Sequence, residues 1–566
     1  MVSVIGQNII SPLGKTASEN YNAVRNGRTS IRQWHGLWRE SDDIAASLFS
    51  EKDNEDMTID GCSRGESLAI RSIRDALKTA DIDTGSPRTV LILSTTKGNI
   101  AWLEREDADT ERVLPTSSAQ TIAHALGIKT QPIVVDNACI SGLSAIILGS
   151  RLLELGFYDQ AIVCGVETQS QFIVSGFQSL QALSSAPCRP FDMERCGLNL
   201  GEAAATIVLS NKPGTWHIAS GAVRNDAYHI SAPSKNGEGA RLALKAIIGE
   251  NNTNDIAFVN AHGTATLFND QMESVAIDRA GLGQIPVNAL KGNYGHTMGA
   301  CGILETILSM LAIDDGIVLP TKNFEELGVS GDINIASKEA NTAKKSFIKT
   351  LSGFGGCNAA VLASKQTDST HSPAAVSFRT THHVRITPTE ASMDGMTLLT
   401  ATNGSTGKAF VTEIYKQLIG NYPRFYKMDL LCRLGFVASE LLLKAEGTDP
   451  YSTPESRAVA LTGHSGSICA DRNYLQSFVN PDDYYPSPER FVYTLPNIVT
   501  GEIAIRNHYH GETAFYMLPW RDNDIIRQLL CSTLADQATK SVIGGWLNCD
   551  DEEHFEADIH IIIKEQ

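Results

Sequence analysis

Short apolar segments rich in β-branched residues recur along the chain and alternate with longer segments of helical periodicity. The short segments include RTVLILS, QPIVVDNA, QAIVCGV and AATIVLS, which are typical of strands buried on both faces of a sheet. The longer segments include SLAIRSIRDALKTA, GLSAIILGSRLLELG and EGARLALKAIIG. Strands that alternate with helices indicate an α/β fold with a largely parallel sheet. With 566 residues, the chain is long enough for roughly two to four domains.

Charge and cysteine usage exclude several classes of protein. A net charge of -17 disfavours nucleic acid or an anionic membrane as the main partner. No apolar run is long enough to span a bilayer, and the start, MVSVIGQNIISPLGKT, is typical of a first strand, so we expect a cytoplasmic protein. The 11 cysteines include no CxxC pair, which argues against a disulfide framework or a zinc site.

A change in composition divides the chain. The polar, proline-bearing segment QTDSTHSPAAVS predicts a linker at residues 366–376. After it, LCRLGFVASELLLKA, AVALTGHSGSICADRNYL and VYTLPNIVTGEIAI follow the order of CSRGESLAIRSIRDAL, TVLILSTTKGNIAWLERE and VVDNACISGLSAI. We interpret 377–566 as a duplicated half-domain, although chance similarity between generic strand–helix units is the alternative.

The first copy contains a cysteine that the second copy lacks. Cys139 follows the strand PIVV, after a tight turn and directly before a helix that starts near Ile140. The N-terminus of a helix favours an anion, so we expect the thiol pKa to fall. A lone cysteine is more often a small buried hydrophobe, and this segment alone leaves both interpretations open. Alignment on Gly142 and Gly501 places Ile498 opposite Cys139, so we expect 377–566 to be noncatalytic.

Two further segments carry polar residues in loops that follow strands. They are VNAHGTATLFNDQMESVAI and NALKGNYGHTMGACGILETI, whose candidate residues are His262, Thr264, Thr266, Lys291, His296 and Glu305. Functional groups in α/β sheets usually lie at the carboxyl ends of strands. A cysteine and two histidines placed in this way therefore indicate a catalytic site. The turn GFGG around Phe354 can aim a backbone N–H at an oxyanion, although, taken alone, this segment is better explained as an ordinary glycine-rich hairpin.

Six motifs in the order SPLG, NACISG, RPFDMERCGLNLGEAA, NAHGTATLFNDQMES, LKGNYGHTMGACG and GFGGCNAAV resemble the β-ketoacyl-acyl carrier protein synthases of the thiolase superfamily. The resemblance covers 1–365, and it implies a ketosynthase domain with halves at about 1–212 and 213–365. The implied fold is the thiolase-like, layered α-β-α-β-α arrangement. The segment 377–566 resembles the N-terminal half of such a synthase, that is, a degenerate half-thiolase domain.

The resemblance also implies roles for the candidate residues. The catalytic Cys-His-His triad falls on Cys139, His262 and His296. The family lysine and glutamate fall on Lys291 and Glu305, the threonines near the carrier arm on Thr264 and Thr266, and the gating phenylalanine on Phe354. The implied reaction is decarboxylative Claisen condensation. It requires no metal or cofactor, since its substrates arrive on the phosphopantetheine arm of an acyl carrier protein.

Several alternatives stay open at this point. A thiolase-like acyltransferase or hydrolase would use Cys139 without decarboxylation. A noncatalytic subunit like a chain-length factor is the second alternative, and 377–566 resembles a truncated one. The family usually dimerises along the strand before the nucleophile, so we expect either a homodimer or an internal pseudo-dimer, and the incomplete second copy favours the homodimer. The acyl chain length and the carrier docking surface are left open.

Overall fold

The computed structural model describes residues 2–38, 43–105, 109–248, 253–366, 376–402, 404–447, 453–480 and 484–565. The predicted linker at 366–376 lies outside the described residues except for its two ends. Strands and helices form three successive units, which we call the first unit (2–210), the second unit (216–364) and the third unit (378–564). No described helix is both long enough and apolar enough to cross a membrane.

Each unit mixes strands and α-helices. The first contains β1 (Val2–Ile10), α1 (Ala17–Arg25), β2 (Arg32–Trp34), β3 (Ile44–Ser47), α2 (Glu51–Met57), α3 (Arg64–Leu77), β4 (Thr89–Ser94), α4 (Thr110–Val113), α5 (Pro115–Ala125), β5 (Ile133–Val135), α6 (Ser141–Glu154), β6 (Gln160–Glu167), α7 (Gln171–Ser179), β7 (Leu200–Gly201) and β8 (Ala203–Ser210). The second contains β9 (Trp216–Asn225), α8 (Glu238–Ile248), β10 (Ile256–Asn260), α9 (Leu267–Arg279), β11 (Pro286–Asn288), α10 (Lys291–Tyr294), α11 (Cys301–Asp314), β12 (Ile317–Val318), β13 (Asn334–Ile335), β14 (Ala340–Asn341), β15 (Ser346–Gly353) and β16 (Cys357–Ser364). The third contains β17 (Phe378–Ile386), β18 (Glu390–Met393), β19 (Met396–Thr400), α12 (Lys408–Leu418), α13 (Leu430–Glu446), β20 (Arg457–Gly463), α14 (Ile468–Leu475), α15 (Pro488–Tyr493), α16 (Ile498–Asn507), β21 (Thr513–Met517), α17 (Asn523–Leu534), β22 (Ser541–Cys549) and β23 (Phe555–Lys564).

The three units share one sheet topology. The strand orders are β5-β4-β6-β8-β1, β11-β10-β15-β16-β9 and β21-β20-β22-β23-β17. In each sheet, the first three strands are parallel and the last two are antiparallel to their neighbours. The chain therefore contains the same strand–helix arrangement three times in succession.

Helices α6 and α11 lie at the centre of the first two units. Nearly every residue of both helices is buried, which is expected of helices packed between two sheets. Their first turns approach closely, because a Cβ atom at Gly142 would lie 3.0 Å from the carbonyl oxygen of Gly299 and 3.1 Å from the backbone nitrogen of Gly302. Strands β4, β6 and β8 are buried almost throughout, as their continuous apolar sequences predict. The predicted layered α-β-α-β-α fold is confirmed.

The third unit extends the first sheet within the chain. Strand β21 pairs antiparallel with β5, with Tyr516 opposite Val135 and Met517 opposite Val134. The backbone N–H of Phe515 also donates to Oδ1 of Asn137 at 2.7 Å. The edge of β5 is therefore occupied internally. A homodimer of two whole chains stays a prediction, and with this edge of β5 occupied by β21 it would have to form through another surface.

The counterpart of Cys139 in the third unit differs from the predicted one. Ile498 begins α16, which precedes β21, whereas Cys139 follows β5. The topological counterpart is the segment 518–522 between β21 and α17, which contains no cysteine either. The alignment failed because α6 and α16 each pack a glycine against another glycine, with Gly501 lying against Gly355.

A buried ion network joins α6 to the third unit. Arg151 contacts Glu512 at 2.7 Å and Asp536 at 3.3 Å, while Arg224 contacts both carboxylate oxygens of Asp536 at 3.0 Å. All four side chains are buried, and Asp536 is shared by both arginines. The charges are balanced in pairs, which is the condition under which buried ions are tolerated.

We predict that Asp536→Ala lowers the free energy of unfolding by about 3–5 kcal/mol, because it leaves Arg224 buried without its carboxylate partner. Urea unfolding followed by tryptophan fluorescence measures the change. Glu552→Ala is the matched control, since its ion pair with Lys408 is exposed, and it should have little effect. Equal stability of the two variants would contradict the role given to this network.

Candidate active site

Cys139 lies in a turn between β5 and α6. The backbone of Ala138 is left-handed, with φ of 50°, and Cys139 directly precedes the N-cap residue Ile140. The Ser141 hydroxyl ties the turn together, since it accepts a hydrogen bond from the Asn137 N–H at 2.8 Å and donates to the Ala138 carbonyl at 2.6 Å. The cysteine is half-buried and faces a cavity. Its predicted position at the start of a helix is confirmed.

The predicted fall in the thiol pKa is not observed. Burial raises the pKa of Cys139 well above its ordinary value, and the neighbouring thiols of Cys301 and Cys357 raise it further, although Lys291 acts in the opposite sense. Desolvation thus outweighs the favourable end of the helix. This direction favours the protonated thiol, so we expect attack by the sulfur to require a base.

Two histidines converge on this sulfur. His262 lies just after β10, and His296 lies between α10 and α11. The Cys139 sulfur and one nitrogen of each imidazole all lie within 4.8 Å of one another. The ring centroids are 5.0 Å apart at an interplanar angle of 80°. The structure therefore brings together the three residues that the sequence predicts as a triad.

Carboxylates fix the loop that presents His262. The Glu273 carboxylate accepts hydrogen bonds from the backbone N–H groups of His262 at 2.6 Å and Gly263 at 2.8 Å. Asp270 accepts in the same way from Thr264 at 3.0 Å. Asp270 in the first turn of α9 and Glu273 in its second turn thus shape the loop backbone.

The two imidazoles differ in their hydrogen bonding. Nδ1 of His296 accepts from the Met298 N–H at 3.2 Å, which assigns the proton of the neutral ring to Nε2. That Nε2 is buried and has no hydrogen-bond partner among the described residues. Nδ1 of His262 is likewise buried and unpartnered within the described chain, so no hydrogen bond at Nδ1 sets its tautomer. His296 is therefore a preset N–H donor, whereas His262 can accept or donate a proton.

Both imidazoles are held neutral. Burial lowers the pKa of His262 and of His296 well below the ordinary value, and the cations of Lys291 and Lys349 lower it further. A neutral ring can accept a thiol proton through one nitrogen or donate a hydrogen bond without carrying charge.

A buried cluster of two lysines and one glutamate lies behind the histidines. Lys291 Nζ donates to Glu305 Oε1 at 2.8 Å and to the His262 carbonyl at 2.6 Å. Lys349 Nζ contacts Glu305 Oε2 and donates to the Ala261 carbonyl at 3.0 Å. Burial alone would raise the pKa of Glu305, but the two lysines outweigh it and hold the pKa below its ordinary value. The cluster carries a net positive charge, and its lysines donate hydrogen bonds to the backbone that presents His262.

Lys349 is a residue that sequence reasoning missed. It lies inside strand β15, whose sequence SFIKTLSG is otherwise apolar or small, and it is fully buried. Lysine is almost never fully buried unless it is paired. A lone lysine within a buried strand was therefore the available signal.

Phe354 lies in the turn between β15 and β16. Its carbonyl accepts a hydrogen bond from Asn497 Nδ2 in the third unit at 2.8 Å. Its ring stacks on Phe177 with centroids 6.4 Å apart. A Cβ atom at Gly353 would lie 3.2 Å from the backbone nitrogen of Cys139, so the turn packs directly against Cys139. Asn497 gave no sequence signal, because its role depends on the packing of a distant segment.

One cavity of about 400 Å³ joins the candidate residues. Those that line it are Cys139, His262, His296, Thr264, Thr266 and Phe354, whereas Lys291 and Glu305 lie outside its lining. The hydroxyls of the two threonines are 2.9 Å apart. Leu267 and Phe268 also line the cavity and are 56% and 75% exposed. They therefore lie where the cavity opens to solvent, which we call its mouth.

Comparison with known proteins assigns the chain to a family. The family models described as "Beta-ketoacyl synthase, N-terminal domain" and "Beta-ketoacyl synthase, C-terminal domain" match residues 1–213 and 217–325. The tetracenomycin polyketide synthase ketoacyl synthase alpha subunit of Streptomyces glaucescens is 30% identical over 346 residues, which are 53% of this chain and 81% of that protein. A putative mitochondrial 3-oxoacyl-[acyl-carrier-protein] synthase of Schizosaccharomyces pombe is 28% identical over 417 residues, which are 64% of this chain and 98% of that one.

Structural comparison extends the likeness of fold to the third unit. The structure titled "PfaC Keto synthase-Chain length factor" matches with a TM-score of 0.74 at 14% identity, and it covers 100% of this chain and 78% of that chain. At this identity the match shows the fold alone. Together, the family models and the tetracenomycin relative show that the chain belongs to the β-ketoacyl synthase family.

Proposed function

We propose that the first two units catalyse decarboxylative Claisen condensation of an acyl group on Cys139 with malonyl-acyl carrier protein, giving a β-ketoacyl-acyl carrier protein. The observation that carries this proposal is the cavity in which the Cys139 sulfur lies within 4.8 Å of nitrogens of two neutral histidines. A nucleophile, a base and a preset N–H donor meet there. Fatty acid and polyketide synthesis both use this reaction, and the acyl chain length is left open.

The first half-reaction loads the enzyme. His262 takes the thiol proton while the Cys139 sulfur attacks the acyl thioester, and the backbone N–H groups of Cys139 and Phe354 stabilise the tetrahedral oxyanion. The intermediate collapses by expelling the carrier thiolate, which takes the proton back from His262. The acyl group remains on Cys139, and His262 is neutral again.

The second half-reaction forms the carbon–carbon bond. The malonyl thioester loses carbon dioxide, and the electrons of the broken bond become an enolate whose oxygen accepts hydrogen bonds from His296 Nε2–H and from His262. Removing one such donor typically costs about 3–4 kcal/mol in the barrier. The enolate carbon then attacks the acyl carbonyl, and the Cys139 thiolate leaves and is reprotonated from solvent. These steps balance without a metal or a nicotinamide.

The substrates of this proposal arrive on the phosphopantetheine arm of an acyl carrier protein. Thr264 and Thr266 place two hydroxyl groups along the cavity next to exposed Leu267 and Phe268. Such hydroxyls can accept hydrogen bonds from the amide N–H groups of the arm and donate hydrogen bonds to its amide carbonyls. The carrier protein is therefore the proposed partner at this mouth.

We predict that the parent protein, incubated with an acyl-carrier thioester, gains one acyl group on Cys139, and that Cys139→Ala gains none and loses condensation. Intact-protein mass spectrometry followed by peptide mapping measures the adduct. Cys196→Ala is the control, because Cys196 also lines the cavity yet is exposed and lies outside the Cys-His-His group. Condensation by Cys139→Ala at the parent rate would overturn the assignment of the nucleophile.

We further propose that the third unit, within the predicted region 377–566, is an internal partner that resembles a truncated chain-length factor and makes the molecule a pseudo-dimer. Two contacts favour this role. Asn497 holds the Phe354 carbonyl, and the ring of Phe491 packs so closely on Gly176 that a Cβ atom there would lie 2.2 Å from it. A second cavity of about 390 Å³ shares Leu180, His229, Ile230 and Ser231 with the first, and its other lining residues belong to the third unit.

Phe491 is the third-unit residue best placed to limit the acyl chain. Its ring lies 5.5 Å from that of Phe177, which lines the cavity together with Cys139. We predict that Phe491→Ala lengthens the products, because removal of the ring opens space behind Phe177. Gas chromatography of the released acyl chains measures their length.

The control is Phe478→Ala. It removes an equally buried ring of the same aromatic cluster, one that contacts Phe172 and Tyr474. An equal product distribution from the parent and from Phe491→Ala would contradict the proposed role, and so would an equal shift in both variants.

A further inference from the structure

The third unit carries a cluster of two histidines and an aspartate that the condensation reaction does not use. His383 on β17 lies directly opposite His560 on β23 in the antiparallel ladder. Asp558 precedes His560 by two residues on the same strand, so both side chains project from the same face of the sheet. The ladder therefore places all three side chains on one face, although His383 and Asp558 are 175 residues apart in sequence.

The three side chains converge on one point. His383 Nε2 lies 2.7 Å from Asp558 Oδ1, and His560 Nε2 lies 3.4 Å from the same oxygen. The two imidazole rings are stacked with centroids 4.3 Å apart. One nitrogen or oxygen atom from each residue lies within 4.8 Å of the others. A single carboxylate oxygen of Asp558 thus faces both rings.

The carboxylate is held ionised and oriented. Arg521 Nη2 donates to Asp558 Oδ2 at 2.6 Å, which leaves Oδ1 directed at the histidines. Burial acts to raise the pKa of Asp558, but hydrogen bonds from His560, Arg521 and His383 outweigh it and hold the pKa below its ordinary value. His560 is held less tightly than His383. Its Nε2 lies farther from Asp558, and its Nδ1 atom has no hydrogen-bond partner among the described residues.

We propose that His383, Asp558 and His560 form a binding site for a divalent transition metal of the zinc class. Two imidazole nitrogens and one carboxylate oxygen suit zinc, cobalt or nickel, whereas magnesium and calcium prefer oxygen ligands throughout. Strand backbones hold ligands more rigidly than loops do. The side chains are 35%, 14% and 32% exposed, so an ion can enter from solvent and keep a water molecule as its fourth ligand.

The metal would join the first and last strands of the third unit. The sequence expectation of no zinc site rested on the absence of closely spaced cysteines. Ligands this far apart in sequence leave no such signature.

Zinc titration calorimetry of chelator-treated, full-length Cys139→Ala protein tests the proposal. The Cys139→Ala background is needed because Cys139, His262 and His296 also lie close enough together to hold an ion. We expect one equivalent of zinc to bind. The change His383→Gln with His560→Gln should weaken binding at least tenfold.

His382→Gln is the matched control, since His382 neighbours His383 in sequence but faces Asp394 at 3.4 Å and should bind zinc like the background protein. Circular dichroism of every variant reports folding. Unchanged affinity in the folded His383/His560 double variant would overturn the site, and so would the absence of any zinc binding in the Cys139→Ala background. Neither result would bear on the condensation proposal, because that reaction uses other residues.

Discussion

The buried contact between Glu305 and two lysines is the interaction on which the rest of the active site depends. Lys291 and Lys349 together donate hydrogen bonds to the carbonyls of Ala261 and His262, so they position the backbone that presents the His262 imidazole. Their net positive charge also opposes protonation of both histidines. The cluster therefore contributes to both the geometry and the protonation state in the cavity, and burial is the larger cause of the neutral imidazoles.

Because the three units share one topology, the third unit can pair its edge strand with the first unit and pack beside the site. Strand β21 takes the edge of β5 that directly precedes the nucleophile, and the ion network around Asp536 fixes α6 against the third unit. From this position, Asn497 reaches the Phe354 carbonyl. A unit without a cysteine at the equivalent position thus contributes packing and hydrogen bonds to a site whose reacting groups all lie elsewhere.

Much of the fold and of the cavity could be predicted because the signals are local. Cys139, His262 and His296 each follow a recognisable apolar strand, and those strands end at related edges of the sheets. Three features could not be predicted in this way. The raised pKa of Cys139 arises from burial among distant residues, and the role of Asn497 arises from packing between units. The assignment of Ile498 as the counterpart of Cys139 was wrong, because helices at different places in the topology, here α6 and α16, have similar sequences where a glycine packs closely.

The pH dependence of Cys139 acylation in Lys349→Met tests the electrostatic account most directly, with Lys349→Arg as the charge-preserving control. His262 must be neutral to accept the thiol proton, so acylation slows as the pH falls through its depressed pKa. Loss of the Lys349 cation should raise that pKa and move the acid limb of the profile to higher pH, while Lys349→Arg should follow the parent. Superimposable acid limbs in the parent and in folded Lys349→Met would contradict the claim that the cluster adds to burial in keeping His262 neutral.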